Sequence, residues 1–222
     1  MAKQTPNVVI LSTEDDVAES LALYVSQLSA KTIEEKGSFS VVLSGGTLIQ
    51  TIRKLTLSPY KETVNWSKWL IFWVDERVVP LDNEDSNYLL AWNGFLSKVP
   101  IPQDHVYPIN YTSSAETVAK DYEARLKNLV AKKATALRLK GLVTFITDSP
   151  KLPPARITFT FPVINSSVNS AIVVTDKAEA DAVNIALNPV KILPPLPCAE
   201  VKAESLTWFL DKDAASKLPI NA

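Results

Sequence analysis

Apolar residues in this chain recur as short unbroken runs separated by stretches with helical spacing, a pattern that predicts strands alternating with covering helices. Asn7 to Leu11 reads as a strand, and Thr13 with Asp16 starts the helix that follows. In that helix Val17, Leu21, Tyr24, Val25 and Leu28 fall on one face, as expected of an element lying against a sheet. Phe39 to Leu43 is the second strand. It runs directly into Ser44, Gly45, Gly46 and Thr47, after which Leu48, Ile52 and Leu55 resume helical spacing. Lys68 to Val74 forms the third strand. This alternation predicts right-handed crossovers and an α/β fold with a mostly parallel sheet.

The second half is more broken. Asn87 to Phe95 reads as helical, Val106 and Tyr107 as a brief strand, and Ser113 with Glu116 as a capping box ahead of Val118, Tyr122, Leu126 and Val130. From Ala131 to Gly141 the helical pattern degrades into a basic stretch without a stop signal. Leu142 to Ile146, Arg156 to Phe161, Ala171 to Val174 and Leu206 to Leu210 read as strands, Asp176 to Leu187 as a helix, and the C-terminus as a short helix.

At 222 residues the chain fits a single domain, residues 1–222, large enough to bury a core. Its formal net charge of -1 argues against nucleic acid or an anionic membrane as partner and leaves a small polar ligand as the better fit. One cysteine, Cys198, excludes an intrachain disulfide framework and a cysteine-built metal cluster. The N-terminus carries neither a signal core nor an Arg-rich presequence, so the expected compartment is the cytoplasm. His105 is the only histidine. Glycine numbers only 5, where average usage predicts about 15.

Two places carry candidate chemistry. Ser44-Gly45-Gly46-Thr47 lies between a strand and a helix, where backbone N–H groups can hold an anion; the same residues equally fit a simple tight turn. The run from Trp69 to Pro80 ends in Asp75, Glu76 and Arg77, and ligands in α/β proteins bind at the carboxyl ends of strands. Arg77 suits a phosphate or a developing oxyanion, and Asp75 suits orienting a water. The plain alternative is a solvated strand end with surface ion pairs. Arg156 opens its strand at the amino end, which by geometry alone makes it structural.

The segments LSGGT, WSKWLIFWVDERVVP, DSNYLLAWNGFLSKVPIP, RITFTFPVINSS and LTWFLDKDAASKL together resemble the plant-type 6-phosphogluconolactonases, relatives of the glucosamine-6-phosphate deaminases. The resemblance implies a three-layer α/β fold and hydrolysis of 6-phosphogluconolactone to 6-phosphogluconate in the pentose phosphate pathway, with no metal and no organic cofactor. It also implies that Ser44, Gly45, Gly46, Thr47 and Arg156 bind the substrate phosphate and that Asp75 and Arg77 stand beside the lactone.

The chain departs from that family in two ways. The family carries an apolar strand and a loop with glycine and histidine between the helix ending near Val130 and the segment LVTFITDSP; here the flanks join directly, at a junction near 131–142. That loop's histidine is the family's general base, so the resemblance implies a lost central strand and impaired turnover. Glu179 also falls at a family lysine position, leaving Lys177 as the nearby phosphate ligand. The alternatives are a catalytically inactive sugar-phosphate-binding homologue and a non-functional truncated isoform. The oligomeric state is not determined by the sequence.

Overall fold

The computed structural model describes residues 5–131, 141–188 and 195–219, so the junction expected near 131–142 lies largely outside the described residues. The chain divides into two compact units, residues 1–21 with 161–222 and residues 22–160.

The first unit is built on a parallel sheet of β1 (Asn7–Leu11), β7 (Asn169–Val174) and β8 (Ser205–Asp211) in the order β1-β8-β7. A strand flanked on both sides has to be apolar on both faces. The run from Thr207 to Asp211 in β8 is accordingly buried throughout. Trp208 and Leu210 form the core with Val183 and Ala214, and Ile172, Val174 and Leu206 pack against it. As the edge strand, β1 leaves Val8 and Ile10 exposed. The first part of α1 (Glu14–Lys36) belongs to this unit and its remainder to the second.

The second unit holds β2 (Phe39–Leu43), α2 (Leu48–Thr51), α3 (Tyr60–Thr63), β3 (Trp69–Trp73), β4 (Asp75–Arg77), α4 (Asn87–Gly94), α5 (Ala115–Ala131), β5 (Val143–Ile146) and β6 (Arg156–Phe159). β2 and β3 pair in parallel from Phe39↔Trp69 to Leu43↔Trp73. Every residue of β3 is buried. Trp69 packs with Phe39 at 5.0 Å and Trp66 at 4.8 Å between ring centroids, and its indole donates to Ser29 Oγ at 2.8 Å. This satisfies the one polar atom that a buried tryptophan brings with it.

At Val74 the chain leaves the parallel pair. Its N–H still donates to Leu43 O (2.9 Å), but its carbonyl accepts from Phe159 N (2.7 Å), and the next three residues form β4 in an antiparallel sheet ordered β4-β6-β5. Asp75 to Arg77 are thus a strand rather than a solvated strand end. Among the described residues the parallel strands pair in two ladders, β1-β8-β7 and β2-β3.

Other local differences have simple causes. β6 stops at Phe159 and gives way to α6 (Phe161–Ile164), since Pro162 cannot supply a ladder donor. A 3-10 turn, Lys177–Glu179, precedes α7 (Ala180–Leu187). Residues 212–217 form turns, and among the described residues no terminal helix follows Asp211. Val106 bridges Ile71 in parallel as a single pair instead of a strand. Among the described residues no helix is long and apolar enough to cross a membrane.

Candidate functional site

The glycine turn follows β2 as expected. Gly46 has φ 68, a conformation that glycine adopts freely and other residues do not. Gly46 and Thr47 are exposed, while Ser44 and Gly45 are half-buried. Among the described residues the N–H groups of Gly45, Gly46 and Thr47 donate to no protein acceptor. Helix α2 is a single turn that continues into a 3-10 segment, Ile52–Thr56, so the cradle consists of turn amides more than of a helix dipole.

Asp75 and Arg77 stand on β4 opposite Thr158 and Arg156 of β6. Antiparallel pairing places the amino end of β6 against the carboxyl end of β4, so Arg156 joins the pair that the sequence reading by geometry alone separated it from. Burial pushes the Asp75 carboxyl above the ordinary carboxylate range; the positive charges of Arg77 and Arg156 and the Asn87 amide oppose that rise without cancelling it. Arg77 Nη1 donates to Asp85 O (2.6 Å), while its buried Nε has no hydrogen-bond partner among the described residues. Arg156 donates to the carbonyls of Lys151 (2.8 Å), Leu152 (3.1 Å) and Pro153 (3.0 Å), and so also ties down the loop before its own strand.

Behind this pair lies a polar assembly that the sequence reading missed. Glu76 is 2% exposed. Its carboxylate accepts from the backbone N–H groups of Arg77 (2.8 Å), Asn87 (2.8 Å) and Tyr88 (2.7 Å) and from Ser86 Oγ (3.3 Å). Ser86 itself caps α4. Burial pushes the Glu76 carboxyl up, and these backbone donors oppose the rise. A negative side chain at the start of α4 complements the helix dipole. Asn87, 1% exposed, donates from Nδ2 to Asp75 O (3.0 Å) and lies so close to Gly45 that a Cβ there would overlap its amide. The spacing D-S-N before an apolar helical stretch was the available signal, a capped helix start nine residues beyond Arg77.

Tyr122 supports the same region from α5. Its hydroxyl accepts from Trp73 N (2.9 Å) and donates to Tyr107 O (3.2 Å), and burial raises its pKa far above the ordinary tyrosine value. His105 lies elsewhere: it precedes Val106, which pairs with Ile71, and so sits toward the amino end of β3 while Asp75 follows the carboxyl end. Lys177 and Glu179 belong to the other unit, both exposed on the 3-10 turn.

The family model described as glucosamine-6-phosphate isomerases/6-phosphogluconolactonase matches residues 12–142 and 132–208. The chain belongs to this family. It is 49% identical over 247 residues to a "Probable 6-phosphogluconolactonase 4, chloroplastic" of Oryza sativa subsp. indica, covering 95% of this chain and 76% of the relative. It is 44% identical over 257 residues to "Probable 6-phosphogluconolactonase 4" of Arabidopsis thaliana, covering 99% and 97%. Both aligned lengths exceed the chain's own 222 residues, so each relative carries positions that this chain lacks. Among solved structures, the devB protein matches with a TM-score of 0.81 at 23% identity over 95% of this chain and 98% of its own. The 6-phosphogluconolactonase of Thermotoga maritima matches with 0.78 at 24% over 93% and 100%. The fold is therefore the α/β fold shared by these proteins, a parallel sheet with flanking helices.

Proposed function

We propose that this chain binds 6-phosphogluconolactone and 6-phosphogluconate as a 6-phosphogluconolactonase, with hydrolysis slowed by loss of the family's general base. The amides of Ser44 to Thr47 and the Arg156 guanidinium hold the phosphate. The Arg77 guanidinium polarises the lactone carbonyl, and Asp75 orients the attacking water. The observation that carries this reading is the Asn87 side chain, which touches both the glycine turn and Asp75 within one compact unit.

The slowed rate rests on chemistry and on the interrupted match. Opening a lactone requires water to attack the carbonyl while a base takes its proton, and imidazole suits neutral pH. His105 is on the wrong side of β3 for that task. The two matched segments of the family model overlap at 132–142, which supports an internal deletion there. Asp75, with its raised pKa, is the remaining proton acceptor beside Arg77.

Lactonase assays on freshly generated lactone, corrected for spontaneous opening, are expected to give a rate about 10²- to 10⁴-fold below that of the Arabidopsis relative run alongside. Calorimetric titration with 6-phosphogluconate is expected to show binding. Turnover equal to the relative's overturns the impairment, and absence of binding at millimolar ligand overturns the site. Grafting the relative's extra segment between Ala131 and Leu142 is expected to restore turnover. The cytoplasm is the compartment we propose; the relatives' names divide, several being chloroplastic.

A further inference from the structure

We propose that Asn87 is a positioning residue that locks the glycine turn to the strand bearing Asp75, so that the two parts of the site move as one body. The inference rests on the proposed function for what the site receives, but its geometry stands on its own. Asn87 is fully buried, and its side-chain amide meets two elements: Nδ2 donates to the Asp75 carbonyl at 3.0 Å, and the amide group as a whole, Oδ1 foremost, fills the space beside Gly45. Its own backbone is held by Glu76, whose Oε1 accepts from Asn87 N at 2.8 Å. Glu76 is in turn fixed by Arg77 N, Ser86 Oγ and Tyr88 N. The lock is therefore closed at three points: the turn after β2, the strand β4 and the first turn of α4.

Among the described residues β2 pairs with β3 and β4 with β6, so no ladder joins the glycine turn to β4 directly. One backbone bond, Val74 N to Leu43 O (2.9 Å), ties the residues just before the turn and just before Asp75, and the Asn87 side chain adds a second tie beyond it, to Gly45 and Asp75 themselves. A shift of one part against the other would leave the phosphate cradle and the Asp75–Arg77 pair out of register with a single rigid ligand, and misplacement on that scale is costly to binding and rate. Glycine at position 45 follows from the same contact, because the space a methyl group would need is taken by the Asn87 amide.

The test is a double-mutant cycle on Gly45→Ala and Asn87→Ala with three readouts: calorimetric affinity for 6-phosphogluconate, urea midpoint, and the Asp75 carboxyl titration followed by NMR. Either single substitution is expected to weaken ligand binding about tenfold. Each is also expected to move the Asp75 titration upward, because an Asn87 hydrogen bond opposes the rise that burial imposes while Arg77 and Arg156 stay in place and Glu76 keeps its donors. The double variant is expected to be no worse than either single one, since both changes break the same contact. Trp92→Ala, on the partly exposed face of α4, serves as control and is expected to lower the midpoint without moving the Asp75 titration. Additive losses in the cycle, or an Asp75 titration that Asn87→Ala leaves in place, would overturn the proposal. If the unmodified chain binds no 6-phosphogluconate the functional reading falls, while the titration and the urea cycle still decide the role of Asn87.

Discussion

Arg77 and Arg156 stand directly opposite each other across the β4–β6 ladder, two like charges in one cross-strand pair. Such a pair disfavours the sheet unless other groups offset it. Here the offset comes from Asp75, whose carboxyl both guanidinium groups face, and from the carbonyls of Asp85, Lys151, Leu152 and Pro153. A site that concentrates positive charge in this way is suited to an anion.

Arg77→Met removes one of the two like charges and an uncommitted buried donor. Affinity for 6-phosphogluconate is expected to fall about ten- to hundredfold, the size of a lost charged hydrogen bond, while the urea midpoint holds or rises. Calorimetry and urea unfolding on the same preparation check it. A lower midpoint with affinity intact would mark Arg77 as structural.

Glu76→Gln sets two effects against each other. Removing a buried charge favours the fold, but an amide NH₂ would face N–H groups that now donate to a carboxylate oxygen. Leaving buried donors unmet costs about 1–3 kcal/mol each, so the variant is expected to be destabilised by about that amount. Urea unfolding with ligand absent measures it, and an unchanged midpoint would mean that the α4 start is held by Ser86 alone.

Glu123 behaves oppositely to Asp75 and Glu76. Burial raises its carboxyl, but Lys127 and the N–H groups of Val143 and Leu142 outweigh that and leave it below the ordinary range. A carboxyl depressed in the folded protein stabilises above its unfolded pKa and loses that contribution as pH falls through the folded one. The stability difference between the natural chain and Glu123→Gln is therefore expected to be present at neutral pH and to vanish in acid. Asp75 and Glu76, raised in the fold, contribute with the reverse sign. Urea midpoints measured across acid pH test both.

Asp176 has φ 143, where residues other than glycine are strained by about 1–3 kcal/mol. Its carboxylate also accepts from Ala178 N at 2.9 Å, a turn-capping bond worth about 1 kcal/mol. Set against the lost bond and the about 0.4–1 kcal/mol that glycine's extra freedom in the unfolded chain costs, strain relief of about 1–3 kcal/mol leaves Asp176→Gly expected to be neutral to stabilising by up to about 1 kcal/mol in urea unfolding. Destabilisation would show that the carboxylate contact dominates.

The elements legible in advance were those with strong local signals. Phe39 to Leu43, Trp69 to Trp73 and the capped helix from Ala115 stand close to their expected bounds because apolar period and capping are properties of neighbouring residues. Ser44 to Thr47, Asp75 and Arg77 were likewise visible, as a glycine pair after a strand and as charge at the end of an apolar run. A parallel sheet would set Arg156 apart from Arg77; the antiparallel register pairs the two, while the Arg156 guanidinium also holds the carbonyls of Lys151, Leu152 and Pro153. D-S-N marks a capped helix start, but nothing in DERVVP or DSNY announces that the Glu76 carboxylate will be buried against that start or that the Asn87 side chain will face Asp75 and Gly45.

Periodicity was therefore enough for the α/β class, and the resemblance of its motifs for the family, since each depends on side chains near one another along the chain. Which of those residues meet was settled only in three dimensions, at Val74, where β3 stops pairing with β2 and β4 turns to β6. A one-residue change of partner there re-aims every side chain that follows, and hydrogen bonds between residues far apart in the chain, such as Trp73 N to Tyr122, decide it.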